Sequence, residues 1–297
     1  QKPLWARPRD DVRAEEHAEF FRHLTHEGGE PLETIHFKAE GATEYTALLY
    51  VPAEPAFDPF GAHRDRSRIA LYVRRVLVMA DCDALLPPWL RFVRGIVDSA
   101  DLPLNVSREV LQANRLVRPI AKRLTKKVLD ALRGLLTERR ADYERFFAGF
   151  GAVLKEGLVT APEFADDVAA IALFPSSRGE SPVTLDEYVA AMPEGQDAIY
   201  TLRAADRESA ARSPHAEALR ARGFEVLFLV DPIDEWVAER LTEHGGHPLR
   251  AVDRGEADFE SEERREERER AEREHRDLLA RLEELLKDDV ARVRFSG

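Results

Sequence analysis

Apolar residues recur every four positions at Leu116, Ile120, Leu124, Val128 and Leu132, and Leu135 and Leu136 continue the series. Side chains at that spacing share one stripe of an α-helix, so the stretch must form a long helix with one face buried. A second set follows at helical spacing (Tyr143, Phe146, Phe147, Phe150, Val153, Leu154), with Gly157 as its expected end. Pro119 falls near the start of the first helix, where a missing N–H is tolerated. On both sides the pattern changes to short β-forming runs mixed with helix. Two amphipathic helices between two mixed blocks limit the architecture to α/β (α+β): two layered units joined by a helical connector.

In the first block Asp10 or Asp11 can cap a helix over roughly 13–26, with Phe20, Phe21 and Leu24 as its stripe and Gly28-Gly29 after it. Residues 44–51 are rich in β-formers and stop at Pro52, before a loop carrying Pro55, Phe57, Pro59 and Phe60. The clearest strand is 69–79, running through Arg74 and Arg75, and 92–97 is another. In the second block Thr184-Leu-Asp-Glu187 is a capping box. Residues 198–202 and 225–230 read as short buried strands, separated by a helical segment that breaks at Ser213-Pro214 and ends at Gly223. Strand, helix, strand predicts parallel pairing with a right-handed crossover. Asp231-Pro232 then opens a helix carrying Asp234, Glu235, Trp236 and Leu241.

The tail differs in kind. Residues 260–276 are almost all Glu and Arg with i,i+4 pairs, which favours an exposed helix; a leucine face follows, and 290–295 reads as a strand. The expected organisation is a large α/β part at 1–137, a helical connector at 138–172, a small α/β part at 173–253, and at 254–297 a charged linker with the start of a C-terminal domain. A chain beginning at Gln1 and ending on a strand reads as a fragment of a larger protein.

The formal net charge is −12, from 44 Lys and Arg against 56 Asp and Glu, which argues against a general nucleic-acid binder. The basic run Arg115, Arg118, Lys122, Arg123, Lys126, Lys127 could meet phosphates but reads better as the solvated face of its helix. No apolar run reaches the ~18 residues of a membrane span. Cys82 is the one cysteine, so no internal disulfide forms; a reducing compartment such as the cytoplasm fits, and a small buried hydrophobe is its expected role. His23 and His26 have the spacing of a metal pair but no third ligand nearby, so no metal site is expected. Neither Gly-x-x-x-x-Gly-Lys-Ser/Thr nor Gly-x-Gly-x-x-Gly occurs.

Between the 92–97 strand and the long helix runs Asp98-Ser-Ala-Asp-Leu-Pro-Leu-Asn-Val-Ser-Arg-Glu-Val-Leu-Gln112. If Asn105 or Ser107 caps the following helix, Arg108 falls in its first turn, where the backbone dipole disfavours a cation. On residue chemistry alone Arg108 is an arginine paired with a nearby carboxylate. Trp236, among acidic residues, reads first as the buried anchor of its helix and second as an exposed contact for partner proteins.

The stretch Arg91-Phe-Val-Arg-Gly-Ile-Val97 with the loop to Gln112 closely resembles the middle domain of the heat-shock protein 90 chaperones, most nearly the bacterial branch. Leu4-Trp5, 44–52, Leu71-Tyr-Val-Arg-Arg-Val76, Val153-Leu-Lys-Glu-Gly157, Ser213-Pro-His215 and Asp231-Pro-Ile-Asp-Glu-Trp236 extend the likeness over nearly the whole chain. The resemblance implies a homodimeric, ATP-driven chaperone in which a separate N-terminal domain binds ATP and Mg²⁺ and a C-terminal domain dimerises. It implies that Arg108 reaches the γ-phosphate, with Gln112 one turn later supporting the loop. It implies that unfolded client proteins meet Glu235 and Trp236, with Trp5 a further candidate. Leu77 departs from relatives that carry Phe in the strand facing the N-terminal domain.

Overall fold

A computed structural model describes residues 2–25, 29–41, 43–55, 68–103 and 115–252, together with Arg270, Arg273, His275 and Arg281. The expected tail helix, tail strand and C-terminal domain start fall outside the described residues, apart from those four positions.

Short 3-10 turns at Leu4–Ala6 and Arg9–Asp11 lead into α1 (Ala14–Thr25). Strands β1 (Pro31–Ala39), β2 (Tyr45–Pro52), β3 (Arg68–Val73), β4 (Val76–Met79) and β5 (Arg94–Ser99) form one sheet in the order β1-β2-β5-β3-β4. Only β3 and β5 run parallel; the other neighbours are antiparallel. The period of two sorts β2 by face. Tyr45, Ala47, Leu49 and Val51 join the main core, while Leu48 and Tyr50 pack with Trp5, Phe21 and Ile96 on the other side. The sheet is therefore covered on both faces, by α1 and the N-terminal turns on one and by the long helices on the other. Gly95 lets β5 approach β2 closely within the sheet. It faces Leu49 across the β2–β5 ladder with φ near +151°, and a Cβ there would lie 2.2 Å from the Leu48 carbonyl oxygen.

The long helices are α2 (Val117–Glu138) and α3 (Arg140–Thr160). The expected stripe of α2 is buried as Ile120, Leu124, Val128, Leu132 and Leu135. Helix α3 runs past its expected end: Gly157 is an interior position where a Cβ would meet the Trp89 ring at 2.9 Å. The glycine serves close packing rather than termination. A bidentate bond from Arg91 to Glu156, at 2.6 and 2.8 Å, ties the approach to β5 onto this helix.

After α4 (Ala165–Ala169) comes α5 (Leu185–Ala190), whose Thr184–Glu187 capping box is present with both hydrogen bonds. Then follow β6 (Ile199–Arg203), α6 (Arg207–Ala211), α7 (Pro214–Ala221), β7 (Val226–Leu229), α8 (Asp234–Arg240), β8 (Glu243–His244) and β9 (His247–Ala251). The second sheet has the order β7-β6-β9-β8, with β6 parallel to both neighbours, as strand-helix-strand order predicts for β6 and β7. Ile199, Leu227 and Leu229 extend the main core, and Tyr200, Leu202, Val226 and Phe228 pack on α6 and α7. The fold is thus mixed α/β with two sheets and helices, as expected.

Three local expectations need correction. The 69–79 run is two strands joined by a two-residue turn, because Arg74 and Arg75 both take positive φ, 52° and 66°. Strand β1 and the β8–β9 hairpin were not expected from the pattern. Trp236 is not the buried anchor of α8; Asp234 and Val237 fill that role, each 1% exposed, and Trp236 is 58% exposed.

Candidate functional site

The exit of β5 is strapped from both sides. On one, Ser99 Oγ and the Ala100 N–H donate to the Glu44 carbonyl at 3.2 and 3.3 Å, while the Glu44 N–H donates to Asp101 Oδ2 at 2.6 Å. On the other, the Arg74 N–H donates to the Ser99 carbonyl and Arg74 Nε to the Ala100 carbonyl, both at 3.2 Å. Asp98 stands between. Its Oδ1 accepts the Arg75 N–H at 3.1 Å and its Oδ2 accepts the Trp5 indole N–H at 3.0 Å. One carboxylate thus joins the N-terminal turn, the β3–β4 turn and the end of β5. This stem precedes Arg108 and Gln112 in the chain, which lie outside the described residues together with Asn105 and Ser107. Two non-glycine residues at positive φ beside the stem store backbone strain that the surrounding bonds must hold.

Trp5 is itself a packing residue. Its ring lies 4.8 Å from Tyr72 and 6.0 Å from Phe20, centroid to centroid, and it is buried, so it offers no open face to a partner. Behind it His36 donates from Nε2 to the Trp5 carbonyl at 3.1 Å, and His17 Nδ1 shares a hydrogen bond with Tyr50 Oη at 2.9 Å. Burial pushes the pKa of both imidazoles below the ordinary value.

Beside the turn, Val76 and Leu77 stand 54% and 51% exposed on β4, one of the two edge strands of the first sheet. Along α2 the basic residues Arg118, Lys122, Arg123, Lys126 and Lys127 are exposed, with Arg123 and Lys127 over the Phe37 ring at 5.9 and 5.8 Å. That is the solvated face expected of them, steadied by cation–π contact. Cys82 is buried, as expected for a small hydrophobe.

A second site lies at the carboxyl ends of the parallel strands β6 and β7. A groove of about 450 Å³ is lined by Arg203, Ala204, Ala205, Leu229, Val230, Asp231, Pro232 and Glu235. Arg203 reaches Glu235 across it at 3.4 Å, and the next residue of α8, Trp236, is exposed. Below the groove is a residue that the sequence reading gave no separate role. Lys155 of α3 has no exposed side-chain surface, and its Nζ donates to Asp231 Oδ2 and Asp234 Oδ1, both at 2.8 Å. The ammonium also lies 4.5 Å from the Phe174 ring centroid. Burial raises the pKa of the Asp234 carboxyl against the opposing pull of Lys155. The signal was a lysine inside an apolar helical face two residues before Gly157, and only a distant pair of aspartates explains it.

The family model described as Hsp90 protein matches residues 1–297. Chaperone protein HtpG of Mycolicibacterium gilvum is 47% identical over 300 residues, covering 99% of this chain and 46% of that protein. Chaperone protein HtpG of Mycobacterium avium is 46% identical over 300 residues, covering 100% of this chain and 46% of that protein. The chain therefore spans about half the length of these relatives. The solved middle domain of a Plasmodium falciparum heat shock protein superposes with a TM-score of 0.75 at 28% identity, covering 85% of this chain and 100% of that domain.

Proposed function

The chain belongs to the Hsp90 protein family, and from that premise we propose that it is the middle segment of an ATP-driven chaperone, completing the ATPase site of a separate N-terminal domain and binding unfolded client proteins. In this reading 1–137 is the large part, 138–172 the connector, 173–253 the small part, and 254–297 leads into a dimerising C-terminal domain. ATP and Mg²⁺ belong to the N-terminal domain; among the described residues no group of three His, Cys, Asp or Glu side chains is placed to hold a metal ion. When bound, the nucleotide supplies the phosphoryl group, and this chain supplies Arg108. A guanidinium is always charged and its planar fork matches phosphate oxygens, so it suits charge that develops on a γ-phosphate. Gln112 supports the same loop.

The observation that carries the ATPase reading is the stem at Asp98–Asp101, held by two chain segments and the N-terminal turn at the base of the Arg108 loop. ATP turnover by the full-length protein at saturating nucleotide tests it: Arg108→Ala should abolish most turnover, and unchanged turnover sinks the assigned role. The client surface is supported by the exposed Trp236, whose neighbour in sequence, Glu235, lines an open groove, since exposed aromatic residues are enriched at binding hot spots. Trp236→Ala should weaken affinity for an unfolded protein by about tenfold, near 1.4 kcal/mol, without changing the melt. Glu235, the preceding residue of α8, lines the groove and pairs with Arg203 across it. A cytoplasmic homodimer is the expected setting. A second reading, a passive protein-interaction module with no catalytic part, draws on the same exposed Trp236 and would leave Arg108→Ala silent.

A further inference from the structure

Helix α8 carries the proposed client face on seven residues, too short to hold its own position in water. Its N-cap residue, Ile233, provides no side-chain cap. Its inner face is anchored by Val237 in the main core, with Ile233, Ala238 and Leu241 packed against that core, and by Asp234 against α3. Apolar packing is non-directional and by itself permits rotation. The Asp234 carboxylate does not, because it is used twice, accepting Lys155 Nζ on Oδ1 at 2.8 Å and the Asp231 N–H on Oδ2 at 3.0 Å. Asp231 in turn grips Lys155 and lines the groove. The wall of the groove and the first turn of α8 are therefore fixed to the same buried ammonium.

We infer that Lys155 is a positioning residue for the Glu235–Trp236 face: from inside the helical layer it sets how Trp236 and the groove are presented to an unfolded chain. The inference rests on the reading of that face as a client surface. The physical case is that a buried ion cluster is poor at adding net stability but good at selecting one pose, since its attraction is directional and its desolvation cost is large. Replacing the charges by neutral groups of similar size should then spare the fold and blur the pose. A role in stability alone predicts the opposite pattern, in which binding follows the melt and nothing else.

The test uses the full-length protein and reduced, carboxymethylated α-lactalbumin as the unfolded probe. The neutral pair Lys155→Met with Asp234→Asn should melt close to the parent and bind the probe about fivefold more weakly or worse. In that background Trp236→Ala should cost less than it does in the parent, because a mispositioned indole has less to lose. Probe affinity within about twofold of the parent, with the Trp236→Ala effect undiminished, overturns the inference. Should the neutral pair lose its cooperative melt, Asp231→Asn decides instead. It keeps the Lys155–Asp234 contact, and it should bind about two- to threefold more weakly with the melt unchanged; parental affinity overturns the inference. Trp236→Ala in the parent separates the two levels: no effect there removes the client surface itself, whereas a clear effect beside silent Lys155 variants removes only the positioning role.

Discussion

The two sheets each hold a parallel strand pair, β3 with β5 and β6 with β7, and each proposed function sits at the carboxyl ends of one pair. The two exits are held by different physics. At the β5 exit the fastening is a half-exposed carboxylate and main-chain hydrogen bonds, each worth on the order of 1 kcal/mol. At the β7 exit it is an ammonium with no exposed surface, bonded to two carboxylates. The first arrangement can be loosened locally while the domain stays folded. The second cannot lose Lys155 without leaving the buried Asp234 carboxylate uncompensated. A loop that must meet a ligand on another domain suits the first, and a surface that must keep one shape suits the second.

The largest effect should come from breaking the buried exit asymmetrically. Lys155→Met alone strands Asp234 beside Asp231 and should destabilise the chain by about 3–5 kcal/mol, read by chemical denaturation. A loss below about 1 kcal/mol would place the two exits in the same class. Next is Asp98→Asn, whose single carbonyl oxygen can serve Trp5 or Arg75 but not both. It should cost about 1 kcal/mol while lowering ATP turnover in the full-length protein by more than that loss of stability explains. Equal fractional effects on stability and turnover would reduce Asp98 to ordinary packing.

Smaller still is a change that should stabilise. Arg74→Asn with Arg75→Gly gives the β3–β4 turn residues that accept positive φ, and should raise stability by up to about 1 kcal/mol. Turnover in the full-length protein should fall, since the Arg74 Nε bond to the Ala100 carbonyl is lost. Faster or equal turnover would show that the strained turn has no functional part. The mildest effect is a pH dependence behind Trp5. His17 and His36 are held below their ordinary value of 6.5, so the unfolded chain binds protons more readily than the folded one. Their contribution is complete above pH 6.5 and is lost as pH falls through the lower folded values. The melting temperature should therefore drop between pH 7 and pH 5, and His36→Gln should shrink the drop. A flat profile in the parent contradicts the assignment.

Much of this was legible in the residues, and the exceptions have physical causes. The stripe from Ile120 to Leu135, the Thr184 capping box and the break at Ser213-Pro214 rest on local rules and stand as expected. The β3–β4 turn was missed because it uses Arg-Arg where such turns ordinarily take Asn-Gly. The β8–β9 hairpin does carry the usual signal, Gly245-Gly246 with φ of 57° and 81°, but its strands are too short and polar to show alternation. Strand β1 is masked by Glu33 and Lys38, which an edge strand can afford. Trp236 lies outside where the buried role was expected first, and Lys155, which carried no expectation, lies inside, because burial at α8 was decided by partners about eighty residues away in sequence. No local pattern carries that information. The Hsp90 likeness implied a client-binding role for Trp236 but not the reason for its exposure.

The central claim is that this chain lends Arg108 to a γ-phosphate held elsewhere. Its most direct test is phosphate release from ATP at saturating nucleotide by the full-length protein, with Arg108 as Ala and as Lys. The account predicts a fall on the order of 10²-fold or more for Arg108→Ala, against the 10³–10⁵ that arginines contribute in other phosphoryl-transfer sites. Arg108→Lys should recover only a part, because an ammonium keeps the charge without the bidentate fork. Nucleotide affinity and the melt should be unchanged in both. An Arg108→Ala protein that releases phosphate at the parental rate would contradict the account.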